Sequence, residues 1–264
     1  MGKKRSNFID AHNHITTKFY SEEQIQKIIN KATENDIEFM IVNGGHRSEN
    51  IEVLELAKKY PIIKPAIGIH PEDGEGENDV LLYKHLINED VVAIGEIGLD
   101  YYYEDAPSRE NQLKSFENQV KLADELKLPV VVHVRDKEEQ ELAYKDAYEI
   151  LKKYKNLKVM LHTYAGNIEW AKLFLELGCY FSFSGVITFG SSDKTREVLE
   201  FIPLDNLLIE TDAPYLRPHP FKNVLNDPNQ VLFTTYYAAG LKKVGIEKFV
   251  TKINSNLRKL FNLK

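Results

Sequence analysis

Short apolar runs alternate with longer amphipathic stretches along the whole chain, and the alternation is regular enough to count elements. The runs are continuous rather than alternating, as parallel strands covered on both faces should be. Phe8-Ile9 leads the first strand into Asp10-Ala11-His12-Asn13-His14. Ser21, followed by Glu22 and Glu23, caps a helix that reaches about Asn35. Ile37–Val42 is strand two, and Ser48 opens a helix whose apolar face carries Ile51, Leu54, Leu56 and Ala57 and which Pro61 stops. Ile62–Ile69 is strand three, ending in Gly68-Ile69-His70-Pro71. An acidic, glycine-rich loop over Glu72–Asn78 precedes a short helix ending near Leu86.

Val91–Glu96 is strand four, and Ser108–Leu126 a long amphipathic helix. Pro129–Val134 is strand five, with the charged segment Lys137–Lys153 helical behind it. Lys158–His162 is strand six, followed by a helix near Ile168–Leu177. Tyr180–Ser184 is strand seven, followed by a helix near Lys194–Phe201. Leu207–Asp212 is strand eight, and after a loop to about Asp227 two helices close the chain. Eight strands with helices between them predict a (β/α)8 TIM barrel, an α/β fold built as a single domain over residues 1–264. An open doubly wound sheet is the alternative, but it has no ring of strand ends.

The 264 residues, 43% hydrophobic, suffice for one such barrel of about 250 residues. No uncharged apolar run reaches the ~18 residues of a membrane span. The basic start, Met1–Ser6, lacks a following apolar stretch, so no secretory signal is expected. The one cysteine, Cys179, lies in an apolar run and reads as a buried structural thiol, which fits a cytoplasmic location. A net charge of −6 argues against a protein that coats duplex nucleic acid through a broad basic face. It leaves room for an enzyme that takes one phosphate or strand end into a pocket where bound ions carry the positive charge.

In a barrel of this kind the active site lies at the C-terminal rim of the strands. His12 and His14 fall there, on one face of strand one because side chains repeat every two residues. So do His70, Glu96, His133 with Arg135, His162 and Asp212, each on another strand. Singly, each has a dull explanation: a backbone hydrogen bond or a helix cap. Together they have donors for two divalent ions, with Glu96 as bridging carboxylate and Asp212 as both ligand and proton acceptor from a water. Histidine-rich ligation favours zinc or manganese over magnesium, which prefers oxygen. Asp10 and Glu210 are inward neighbours that either orient imidazoles or form an internal ion pair. Arg135 can grip a phosphate in bidentate fashion, and His70 can donate to the same oxygens. His46, in the turn after strand two, is a bystander or a substrate contact. Tyr101-Tyr102-Tyr103 either stack on a base or line the pocket mouth.

Six stretches resemble the TatD family of metal-dependent deoxyribonucleases, in the amidohydrolase superfamily. They are Asp10–His14, Gly68–Pro71, Ile94–Tyr101, Leu128–Asp136, Phe181–Gly185 and Leu208–Leu216, and the closing Asn256–Phe261 is similar too. The resemblance spans nearly the whole chain. It implies a TIM barrel, divalent metals with His12, His14, Glu96, His133, His162 and Asp212 as ligands, and hydrolysis of DNA, often from a 3′ end of a single strand. The partner expected is single-stranded DNA as substrate, with no membrane and no obligate protein partner evident in the sequence. Two segments depart from the family. His162-Thr163-Tyr164-Ala165-Gly166 replaces the usual His-Cys/Ser-Phe-Ser-Gly, and the loop Pro218–Pro228 keeps only Lys222, Asn226 and Pro228 of an Arg-Gly-Lys-x-Asn-x-Pro pattern. Weaker positive charge there leaves a second reading open, the same metal centre acting on a carbon ester or amide: a lactone, a small amide or an aminoacyl-RNA ester. A non-catalytic binding protein is the third reading, and six retained ligands speak against it.

Overall fold

The computed structural model describes residues 7–221 and 224–263. The basic start and Lys222, both weighed above, lie outside the described residues. Eight parallel strands form one sheet in sequential order: β1 (Phe8–Asn13), β2 (Ile37–Asn43), β3 (Ile63–Ile67), β4 (Ala93–Asp100), β5 (Val130–Arg135), β6 (Val159–Leu161), β7 (Tyr180–Phe183) and β8 (Leu207–Ile209). The ring closes beyond the end of β8, where Asn13 and Ala213 form a parallel bridge. Asp212 N–H donates to the His12 carbonyl at 3.0 Å and His14 N–H to the Ala213 carbonyl at 2.7 Å. This is the expected TIM barrel.

The helices are α1 (Glu22–Glu34), α2 (Arg47–Lys59), α3 (Val80–Tyr83), α4 (Arg109–Leu126), α5 (Leu142–Leu151), α6 (Ile168–Glu176), α7 (Asp193–Phe201), α8 (Val231–Leu241) and α9 (Ile246–Phe261). Helix α1 shows why the sequence was readable: Ser21 and Gln24 make a reciprocal capping box, and Ile25, Ile28, Ile29 and Ala32 form one buried stripe. Several boundaries differ from expectation: β4 runs on to Asp100 rather than ending at Glu96, β3 stops at Ile67 rather than Ile69, β8 stops at Ile209 rather than Asp212, and two helices start elsewhere. Helix α2 is capped by His46, whose ring accepts from Ser48 N–H, so Ser48 lies inside it. Helix α5 begins at Leu142 rather than Lys137, because Asp136 accepts the N–H groups of Lys137 and Ala143 and holds the intervening residues in a turn.

Amide side chains tie the helices to the strand ends. Asn50 of α2 brackets Gly68, accepting from its N–H at 3.1 Å and donating to its carbonyl at 2.8 Å. On α4, Gln119 does the same to Ile69 and Gln112 to Asp100. Each bracket satisfies a buried peptide unit where no neighbouring strand reaches it. Among the described residues, no helix is long and apolar enough to cross a membrane.

Candidate metal centre

Strand β4 carries one more residue than β5 between paired positions: Ile94 pairs with Val130, and Ile97 already with Val132. Such a bulge re-aims side chains. Glu96 lies inside it, so it sits in mid-strand and not at the strand end expected from the sequence. Beyond the bulge Gly98 faces His133. Its φ of 147° and the close backbone of His133 leave no place for a Cβ. With no side chain at 98, the His133 ring lies between two carboxylates of β4. Its Nδ1 is 3.0 Å from Glu96 Oε1 and its Nε2 2.9 Å from Asp100 Oδ2.

Glu96 is the hub of the site. Its Oε2 faces His14 Nε2 at 3.1 Å and His12 Nε2 at 3.4 Å. Its Oε1 faces His162 Nε2 at 2.8 Å, His133 Nδ1 at 3.0 Å and His70 Nε2 at 3.4 Å. Asp212 Oδ1 completes the first side, 3.5 Å from His12 Nε2 and 3.8 Å from His14 Nε2. Asp212 adopts φ 53°, a left-handed backbone that Asp tolerates, as the chain turns over the barrel mouth after β8. The structure thus brings all six expected ligands together around one carboxylate.

Outward contacts decide what the imidazoles present inward. A carbonyl or carboxylate can only accept, so the ring nitrogen facing it must carry the proton. His14 Nδ1 donates to the Asn43 carbonyl at 3.0 Å, and His162 Nδ1 to Glu210 Oε1 at 3.3 Å. His133 Nε2 donates to Asp100. Neutral rings so held would each aim a bare nitrogen at an ion beside Glu96; without an ion, His162 Nε2 and His133 Nδ1 face the carboxylate at 2.8 and 3.0 Å as protonated donors. The spacing suits a cation: ligands about 2.0–2.2 Å from an ion lie about 3–3.5 Å apart, and His12 Nε2 and His14 Nε2 are 3.0 Å apart. The donor set fits two divalent ions, one on each side of Glu96.

His70 differs. Its Nδ1 accepts from Glu72 N–H at 3.2 Å as the cap of a 3-10 turn, so its Nε2 carries a proton into the site. It is a donor there and not a ligand. Glu210 orients His162, and the Thr163 N–H and hydroxyl share the same carboxylate oxygen. Asp10 does not orient an imidazole. It accepts from Thr211 N–H at 2.8 Å and Thr211 Oγ1 at 2.6 Å, stitching β1 to the segment after β8. His46 caps α2 and lies away from the centre. Asp100, whose carboxylate meets the His133 ring at 2.9 Å, is not among the site residues expected from the sequence; its spacing of two from Gly98 and four from Glu96 is the available signal.

Without ions the charges respond as a buried cluster. Burial lowers the His12 imidazole to about 4, reinforced by His162. Burial acts against charge on Glu96 as well, but His162, His70 and His12 outweigh it and hold the carboxyl well below its ordinary range. Burial raises Asp212 to about 7, only partly offset by His162 and His14. His133 rises to about 9 because its bonds to Asp100 and Glu96 overcome burial.

Above this centre opens a cavity of about 490 Å³, lined by His70, Arg135, Tyr103, Phe19, Lys18 and Tyr215 among others. Arg135 lies at its mouth, its Cζ 3.9 Å over the Tyr102 ring and its Nη1 3.2 Å from Tyr103 Oη. Tyr101 faces elsewhere and donates to Asp146 at 2.9 Å. Tyr164 and Ala165, from the atypical segment after β6, also line the cavity.

An eight-stranded parallel barrel with imidazoles and carboxylates converging at its C-terminal rim defines the amidohydrolase-like class of metal-dependent hydrolases. A family model described as TatD related DNase matches residues 9–262, and the chain belongs to that family. The relatives include a Bacillus subtilis protein, the uncharacterized metal-dependent hydrolase YabD, 35% identical over 259 residues that cover 96% of this chain and 98% of that one. The uncharacterized metal-dependent hydrolase YcfH of Escherichia coli K12 is 32% identical over 260 residues, covering 97% and 96%. Among solved structures, the TatD homologue YJJV of Escherichia coli superimposes with a TM-score of 0.88 at 27% identity, covering 98% of this chain and 99% of that one. The Escherichia coli phosphotriesterase homology protein, solved with phosphate in its active site, shares the fold at a TM-score of 0.69 and 14% identity, covering 98% and 99%.

Proposed function

We propose that this metal-dependent hydrolase cleaves DNA phosphodiesters, removing nucleotides from the 3′ end of a single strand. The observation that carries the reading is the two-sided donor set around Glu96, with His12, His14 and Asp212 on one side and His133 and His162 on the other. Two divalent ions held there, zinc, manganese or magnesium, would supply Lewis acidity to a phosphoryl oxygen and lower the pKa of a water from about 16 toward about 7. His70 Nε2–H donates to a phosphate oxygen over the centre, where negative charge builds up in the transition state. Arg135, held on Tyr102, grips the neighbouring phosphate at the mouth. The Asp212 carboxylate takes the proton from the attacking water, the bond between phosphorus and the 3′ oxygen breaks, and that oxygen leaves as a hydroxyl with a proton drawn from solvent. Single strands labelled at either end, incubated with magnesium, manganese, zinc or cobalt, test the proposal. Stepwise loss from the 3′ end that a chelator abolishes is expected; no cleavage with any of the four ions contradicts it.

One observation favours a second reading. Glu49, Glu72 and Asp73 line the cavity beside Lys18, and that wall disfavours a polyanion. The same centre would then act on a carbon ester or amide, such as a lactone, a small amide or an aminoacyl-RNA ester. A panel of small esters run against dinucleotides at one ion concentration separates the two.

A further inference from the structure

We propose that Asp100 is a positioning residue that locks the metal centre to the substrate-gripping rim through its two carboxylate oxygens. Oδ2 accepts from His133 Nε2 at 2.9 Å. Oδ1 accepts from Tyr102 N–H at 2.9 Å. Tyr102 in turn supports the Arg135 guanidinium 3.9 Å above its ring, and stacks edge-on with Tyr103 at 5.0 Å, whose hydroxyl accepts from Arg135. Asp100 is fully buried, and Gln112 of α4 brackets its own peptide N–H and carbonyl at 2.8 Å each. Backbone and side chain are therefore fixed together.

The two contacts do different work. The first puts the His133 proton on Nε2 and frees Nδ1 for an ion. His133 is the one imidazole of the ligand set that faces Glu96 through Nδ1; His12, His14 and His162 all use Nε2. The second contact fixes the turn at Tyr102 and, through it, the direction of Arg135. Both contacts need an acceptor. A carboxylate has two such oxygens and an amide only one, so Asp100→Asn must lose one contact. If the amide turns its NH2 to His133, the ring must carry its proton on Nδ1 and cannot bind an ion. If it turns its NH2 to Tyr102, two N–H groups oppose and the turn loosens.

The inference rests on the metal-centre reading, and the test separates the two. The full chain and Asp100→Asn are loaded with zinc, and ion affinity is measured by chelator competition alongside kcat and KM on a single-stranded oligonucleotide. Loss of about ten- to a hundredfold in affinity for one of the two ions supports the proposal. A several-fold rise in KM at unchanged kcat, with both ions kept, supports it equally. Wild-type ion affinity together with wild-type KM overturns it. A second measurement on the unaltered zinc-loaded protein guards against a variant that does not fold. 15N–1H spectra of the ring nitrogens are expected to show His133 protonated at Nε2 and bare at Nδ1, and the opposite tautomer overturns the proposal. Failure of the unaltered protein to bind zinc at all would instead remove the metal-centre reading.

Discussion

His70 and His133 carry their ring protons on the same nitrogen for opposite ends. In His133 the Nε2 proton points out to Asp100, leaving Nδ1 to be bared toward an ion at Glu96; in His70 the bare Nδ1 caps a turn and the proton faces inward. His70→Asn is therefore expected to keep two ions per chain while kcat falls about 10²–10³-fold, as when one oxyanion donor is removed. Elemental analysis beside steady-state kinetics checks both halves, and loss of an ion would make His70 a ligand. Gly98 belongs to the same scale. At φ 147° and against the His133 backbone, Gly98→Ala should destabilise the fold by at least about 2 kcal/mol, read as a lower urea midpoint. An unchanged midpoint would mean that β4 can shift away from β5 without loss.

At the scale of elements, the strands were legible because both faces are covered, leaving bare apolar runs such as Val130–Val132 in the sequence. The helices were legible from caps and stripes such as Ser21 with Ile25, Ile28, Ile29 and Ala32. The side-chain brackets were not, since Gln112 and Gln119 read as ordinary polar positions on α4. Each satisfies a buried N–H and carbonyl that α4 itself does not need. Gln119→Leu leaves Ile69 unpaired and is expected to cost about 1–3 kcal/mol in urea unfolding. Gln112→Leu should cost a similar amount. The two lie two helical turns apart, so the double variant should add to within about 0.5 kcal/mol. A cost near zero for both would show that water replaces the brackets. The bulge in β4 was equally hidden, because an extra residue in a ladder leaves no mark on an apolar run. For that reason the apolar run alone puts Glu96 at a strand end and gives no sign that β4 continues to Asp100.

For the whole molecule, the eight-element count carried the barrel, and the six residues expected at its rim do converge on one place around Glu96. Sequence spacing could not show how the ring closes. Asp10 does that by holding Thr211, and the bridge from Asn13 to Ala213 brings His12, His14 and Asp212 onto one side of Glu96. Four ligand imidazoles and two carboxylates meet at one mouth only in the folded chain, so ions that bind there bind the folded state, and ion binding and folding are coupled. Zinc or manganese at about 100 times its Kd should raise stability by about 2.7 kcal/mol per site, about 5.4 kcal/mol for two, which for a chain of this size raises Tm by roughly 10 °C. A chelator should reverse the shift, and a Tm indifferent to both would argue against bound ions. The central claim is that one carboxylate divides two cation sites. Anomalous X-ray diffraction from zinc-loaded crystals, recorded on either side of the zinc edge, measures this directly. The account predicts two peaks flanking Glu96, one within bonding distance of His12, His14 and Asp212 and the other of His133 and His162. No peak at Glu96, or peaks away from it, would contradict the account.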